Sequence, residues 1–219
     1  MQKYLIIVEG KADIIFLRDY LIALYLDLKI IKNFTKKNKR EIVLKSDKIE
    51  IKILIAGGYT VIKDDKFLKS METYIDDEYK ILVIQDADDP TKDDGGIENR
   101  MKYLDKIDVE FETFLFPNHK DDGDLETLLL RIINKSKYDS FLSCYSNYIS
   151  CIEDNTQKVF INELLEDKYK VFSYFSTYYG MENSKEENRE YIEEYWDFNS
   201  NNLKPLKDFF KENFNIKSN

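Results

Sequence analysis

Histidine is nearly missing from these 219 residues, cysteine occurs twice, and there are only seven glycines and three prolines. A lone histidine, His119, and two cysteines fall short of the four Cys or His ligands of a structural zinc site, so any metal here must be held by oxygen. Cys144 and Cys151 cannot supply a disulfide framework. Seven residues apart on an expected helix, they lie about 10 Å from each other, too far to bridge, and are read as buried helix residues in a reducing cytoplasm. The scarcity of Gly and Pro excludes collagen-like repeats and low-complexity linkers. No apolar run approaches the ~20 residues of a membrane helix. The first run, Tyr4 to Val8, stops at the acid Glu9, so neither secretion nor membrane spanning is expected.

What remains is 43% hydrophobic and 34% charged residues, the composition of a globular chain, long enough for one ample domain with an appendage. The net charge of −9 opposes indiscriminate attraction to nucleic acid but leaves room for a local basic patch. Short apolar, β-branched runs alternate with amphipathic stretches. Strands are expected at Tyr4–Val8, Ile51–Ala56, Lys80–Gln85 and Val109–Phe116. Helices are expected at Asp13–Leu28, Asp64–Ile75 and Ile97–Ile107. This βαβαβαβ order predicts an α/β fold, a parallel sheet of about four strands with helices on both faces. After Asp124 the pattern is helical and dense in aromatics, and no strand is expected. The division is therefore an α/β domain over residues 1–135 and a helical extension over 136–219 packed on it.

Charge is unevenly spread. Residues 29–52 hold nine Lys or Arg and three acids, a local balance of +6; residues 76–94 hold eight acids and two lysines, a balance of −6. The basic insertion, residues 29–50, reads either as a β-hairpin turning at Ser46-Asp47 and gripping a phosphate backbone or as a solvated excursion.

Ligands of an open parallel sheet bind beyond the carboxyl ends of its strands. The first strand ends in Glu9-Gly10-Lys11-Ala12-Asp13, with Gly10 expected to allow a tight turn and Asp13 in the first helical turn. The third ends in Asp86-Ala87-Asp88, whose acids point the same way if the chain is extended. Four carboxylates crowded together repel one another unless a divalent cation neutralises them, and magnesium is the hard, oxygen-seeking candidate.

The hhhhEG..D element at Leu5–Asp13, the turn Ala56-Gly57-Gly58 and the hhhhDxD element at Ile81–Asp88 resemble the TOPRIM domain. That domain is shared by topoisomerases, bacterial primases, the ribonuclease that matures 5S ribosomal RNA, and OLD-type (overcoming lysogenisation defect) nucleases. The resemblance covers roughly residues 1–117 and implies a Rossmann-like sheet. It also implies Glu9 as general acid/base and Asp86 and Asp88 as holders of Mg²⁺ or Mn²⁺. Asp13 matches the second acid of the OLD-type pattern. The segments Phe116-Pro117-Asn118-His119, Gly123-Asp124-Leu125-Glu126, Tyr195-Trp196-Asp197-Phe198 and Leu203-Lys204-Pro205-Leu206 are similar to small stand-alone TOPRIM proteins of uncharacterised function, which makes Glu126 a further candidate ligand. The chain lacks the Gly-x-x-x-x-Gly-Lys-Ser/Thr loop of an OLD-type ATPase half and the zinc cysteines of a primase.

Blander readings stand beside these. Asp13 and Glu126 also suit helix-dipole and capping roles, with Asp124 as an N-cap. Lys11 is a candidate for phosphate contact, or simply solvated; His119 reads as an uninvolved loop residue, and the aromatic tail as core rather than as a base-stacking surface. The expected function is magnesium-dependent phosphodiester cleavage of DNA or RNA, with Glu9 and Lys11 catalytic and Glu9, Asp13, Asp86, Asp88 and Glu126 around the metal. The alternatives are a non-catalytic module docking on a partner such as a separate ATPase, or nucleotidyl transfer at the same site.

Overall fold

The computed structural model describes residues 1–33, 40–135, 139–153 and 164–214. Its centre is a six-stranded sheet in the order β2-β3-β4-β1-β5-β6. The strands are β1 (Gln2–Val8), β2 (Lys29–Lys32), β3 (Glu41–Lys45), β4 (Ile49–Ile55), β5 (Tyr79–Asp86) and β6 (Glu112–Phe116). β4, β1, β5 and β6 run parallel, while β2 and β3 are antiparallel additions on one edge. The expected four-strand parallel sheet is therefore the inner part of a mixed one. The correction lies in the basic insertion, whose apolar alternation at Ile42 and Leu44 buries one face of β3 beside β4. That hairpin does turn at Ser46-Asp47: Ser46 Oγ accepts the Lys48 and Ile49 N–H groups, and Ser46 N donates to Ile49 O. Of its cations, Lys32 pairs with Glu41 and Lys45 with Glu50, whereas Lys36, Lys37 and Lys39 lie outside the described residues.

Strand alternation divides the core cleanly. Tyr4, Ile6, Val8, Leu82, Ile84, Phe114 and Phe116 face one side; Leu5, Ile7, Ile81, Val83 and Leu115 face the other. The second face is covered by α2 (Asp65–Asp76) and α3 (Ile97–Leu104) through Met71, Tyr103 and Leu104. The first carries α1 (Lys11–Leu24), α4 (Leu125–Arg131), α5 (Ser140–Glu153), α6 (Asp167–Tyr178) and α7 (Lys204–Asn213). Helices thus lie on both faces. The aromatics of the last third are mostly core: Tyr174, Phe175, Tyr191, Trp196 and Phe210 join the same apolar cluster as Tyr4 and Phe16. Beyond Asp124 the described residues contain no strand longer than the single bridge Ile133–Trp196.

Two local expectations fail. Cys144 and Cys151 are exposed, because α5 buries Phe141, Tyr145 and Ile149 and turns the cysteines outward. α1 ends at Leu24 rather than Leu28, its last carbonyls taken up as Tyr25 N donates to Leu21 O and Leu28 N to Tyr25 O. Among the described residues no helix is long and apolar enough to cross a membrane.

Candidate functional site

The chain runs from β1 through the edge hairpin to β4 on one side of β1, then crosses to β5 on the other. The strand order reverses between β1 and β5, the place where open α/β sheets leave a crevice. Val8 is level with Ile55 and Ile84, so the tips of three parallel strands end together. A cleft of about 730 Å³ opens there, lined by eleven acids and three lysines.

Glu9 follows β1 directly, and its Oε1 accepts the Asp86 N–H at 3.3 Å. Burial raises its proton affinity, opposed by the Arg100 guanidinium and reinforced by Asp88. Asp13 is buried in the first turn of α1 and its Oδ2 accepts the Gly10 N–H at 2.8 Å. Gly10 itself has φ −141°, ordinary extended backbone, so the turn does not require a glycine there. Positive φ is adopted instead by Gly57 and Gly58 after β4, with Gly57 N donating to Glu9 O, and by Gly123 across the cleft.

Asp86 ends β5 and accepts the Leu125 N–H at 2.9 Å, which ties the strand tip to the start of α4. Its carboxyl is held well above the usual range, first by burial and then by Asp13, Glu9, Glu126 and Asp124. Asp13 is raised too, chiefly by burial, and Glu126 is pushed up to about 7 by burial, Asp124 and Asp13. Asp124 caps α4 by accepting the Thr127 N–H at 2.8 Å, and still lines the cleft.

Asp88 departs from the extended geometry expected of it. The strand stops at Asp86, and Asp88 adopts φ +64° to pair with Gly123: Asp88 N donates to Gly123 O at 2.7 Å and Gly123 N returns to Asp88 O at 3.1 Å. Its carboxylate takes Arg100 Nη2 at 2.6 Å and Lys92 Nζ at 2.9 Å. Arg100 is fully buried, with its guanidinium 3.7 Å from the centre of the Tyr59 ring.

Glu9, Asp13, Asp86, Asp88 and Glu126 therefore share one cleft, with Lys11 exposed beside them. His119 is outside it. Its Nδ1 accepts the Leu115 N–H, its ring stacks on Phe114, and burial lowers its pKa. Arg100, Lys92 and a far wall of Glu166, Asp167, Lys168 and Glu186 were not expected from the sequence. The wall is fixed by Thr127 Oγ1 donating to Asp167 Oδ2 at 3.2 Å across 40 residues, and no local pattern announces such a contact.

Among the described residues no three Asp, Glu, His or Cys side chains stand arranged to hold a metal ion. The donor chemistry nevertheless suits a hard cation: buried carboxylates crowded so that Asp13, Glu9, Glu126 and Asp124 all raise the proton affinity of Asp86, with backbone N–H groups as the hydrogen-bond partners of Asp13 and Asp86.

The sequence pattern of a family described as "Protein of unknown function (DUF3226)" matches residues 3–215. Among curated proteins no relative matches. A crystal structure of a hypothetical protein from Pyrococcus horikoshii OT3 is similar over 97% of this chain and 95% of its own, at 18% identity and a TM-score of 0.47.

Proposed function

The chain belongs to the DUF3226 family, proteins of unknown function, and from that premise we propose that it is a metal-dependent phosphodiesterase acting on nucleic acid through the cleft between β1 and β5. The observation that carries this reading is the convergence of Glu9, Asp13, Asp86 and Glu126, from two strand tips and two helix starts, with every one of the four carboxyls raised in proton affinity. Asp13, Asp86 and Glu126, which are not drawn together into a ligand set in this structure, are the carboxylates that a Mg²⁺ or Mn²⁺ ion would gather; when bound, the ion would neutralise the cluster and polarise a phosphoryl oxygen.

Burial raises the proton affinity of Glu9, the direction a general acid/base needs, and Glu9 takes the proton from an attacking water or gives one to a leaving oxygen. Arg100 and Asp88 act one step back. The buried guanidinium fixes the carboxylate that in turn holds Lys92 at the cleft rim, where Lys92 and Lys11 meet phosphate oxygens. The resemblance of the Glu9-Gly10 and Asp86-Ala87-Asp88 elements to the TOPRIM domain supports the same reading. The engagement of Asp88 by two cations favours a second reading, a regulatory module that binds a partner without turnover.

The test is cleavage of labelled single- and double-stranded DNA and RNA with Mg²⁺ or Mn²⁺, using wild type, Glu9→Gln and Asp86→Asn. Cleavage that requires metal and both carboxylates is the expected outcome. Failure of the wild type to cut any of the four at high enzyme concentration sinks the enzyme reading and leaves the regulatory one.

A further inference from the structure

A second cavity of about 710 Å³ continues from the acidic cleft and shares its wall residues Glu166, Lys168 and Glu186. Its character is different. The first cleft sets eleven acids against three lysines, whereas here three acids meet Lys168, Lys185 and Arg189 around an aromatic surface. Tyr169 and Phe172 stand three residues apart on α6, beside the face that buries Val171, Tyr174 and Phe175 in the core. Phe172 is 38% exposed, although Phe175, one turn on, is fully buried. Arg189 is only 4% exposed. Its Nε donates to Ser184 O and its guanidinium lies 4.9 Å from the Phe175 ring, yet its Nη1 makes no close hydrogen bond and has only a loose approach to the Tyr191 hydroxyl. A buried, charged donor this poorly satisfied is costly unless a ligand's acceptor completes it.

We propose that this cavity is a nucleobase subsite, in which an unpaired base of the substrate strand stacks on Phe172 and presents an acceptor to Arg189 while the neighbouring phosphate lies against Lys168. The inference rests on the phosphodiesterase reading and deepens it by naming the substrate class, single-stranded nucleic acid. In a duplex the base faces are already stacked and cannot reach an aromatic side chain, whereas an unpaired strand offers one π-face per nucleotide. Lys168, common to both cavities, suits a phosphate that joins the stacked nucleotide to the one at the carboxylates.

The test is binding without chemistry: fluorescence anisotropy of end-labelled single-stranded DNA and RNA and of matching duplexes, in chelator and again with Ca²⁺ to neutralise the carboxylates. Wild type should prefer the single strands. Phe172→Ala and Phe172→Leu should each weaken single-strand binding about tenfold, the order expected for one lost base stack, and Phe172→Trp should retain it. Leu keeps apolar surface without a ring, so its loss separates stacking from general greasiness, and thermal melts confirm that these exposed-site variants fold. Equal affinity for duplex and single strand, Phe172→Ala binding like wild type, or no binding of any oligonucleotide overturns the subsite; the last would leave the aromatic face to a protein partner. Binding that follows this pattern alongside a failed cleavage assay leaves the subsite standing and removes only the phosphodiesterase.

Discussion

Asp86 shows how one carboxylate can work against the fold it sits in. Its oxygen is useful to the structure as the acceptor for Leu125 N–H, but its charge is opposed by burial and four neighbouring acids. Asparagine keeps the acceptor and deletes the charge. Asp86→Asn should therefore raise the melting temperature of the metal-free protein by a few degrees at neutral pH while lowering cleavage by about a hundredfold or more. A variant that melts lower than wild type would contradict the repulsion argument. Asp88 is the contrasting case: it carries a left-handed backbone and two cationic partners, so its role is in fixing the loop before α3 and the position of Lys92.

At the scale of an element, the loop from β5 to α3 is the part of the site with the least room to change. Thr91 caps Asp89 from its backbone N–H and its hydroxyl, and Gly95 N donates to Lys92 O. A Cβ added at Gly95 would lie 2.1 Å from the Asp89 carbonyl oxygen, a backbone atom that cannot swing away. Gly95→Ala should cost about 2 kcal/mol or more in chemical denaturation and release Lys92 from its place. An unchanged denaturation midpoint would mean that the loop is looser than its contacts indicate. Helix α4 is similarly tied at its start, where Asp124 caps Thr127, Thr127 reaches Asp167 and Leu125 N–H reaches Asp86, so one short helix joins both walls of the cleft.

Over the whole molecule the site imposes a pH dependence. Glu9, Asp13, Asp86 and Glu126 all have proton affinities above their ordinary values, and Glu126 moves from 4.5 to about 7. The folded state therefore holds protons that the unfolded chain has released. For Asp13 and Glu126, both raised to about 7, that stability contribution is complete below about pH 4 and is lost as pH rises through about 7, and Glu9 and Asp86 act in the same direction. In chelator, the melting temperature should fall by a few degrees between about pH 5 and about pH 7.5, and millimolar Mg²⁺ should restore it at the higher pH. A flat profile between those values would show that the carboxylates ionise without penalty, and Mg²⁺ without effect would remove the proposed ion.

The sequence by itself determined the elements that local chemistry controls. Apolar β-branched runs marked β1, β4, β5 and β6, Gly57-Gly58 marked the turn after β4, and Glu9 and Asp86 were legible as acids at strand tips, while Ser46-Asp47 was legible only as one of two readings of the basic insertion. Tertiary structure decided the rest. That the basic insertion adds two strands to the sheet depends on Ile42 and Leu44 finding a buried face beside β4, which composition in a charged stretch conceals. That Asp88 turns away from extended backbone depends on Gly123, 35 positions on, and its ion pair depends on Arg100 being fully buried. The far wall of the cleft comes from residues 166–186, and the outward turn of Cys144 and Cys151 from which face of α5 the core accepted. Periodicity and capping are read within a few residues because they arise from backbone geometry. Which acid meets which cation is set by packing across the sheet, where the partner can lie anywhere in the chain.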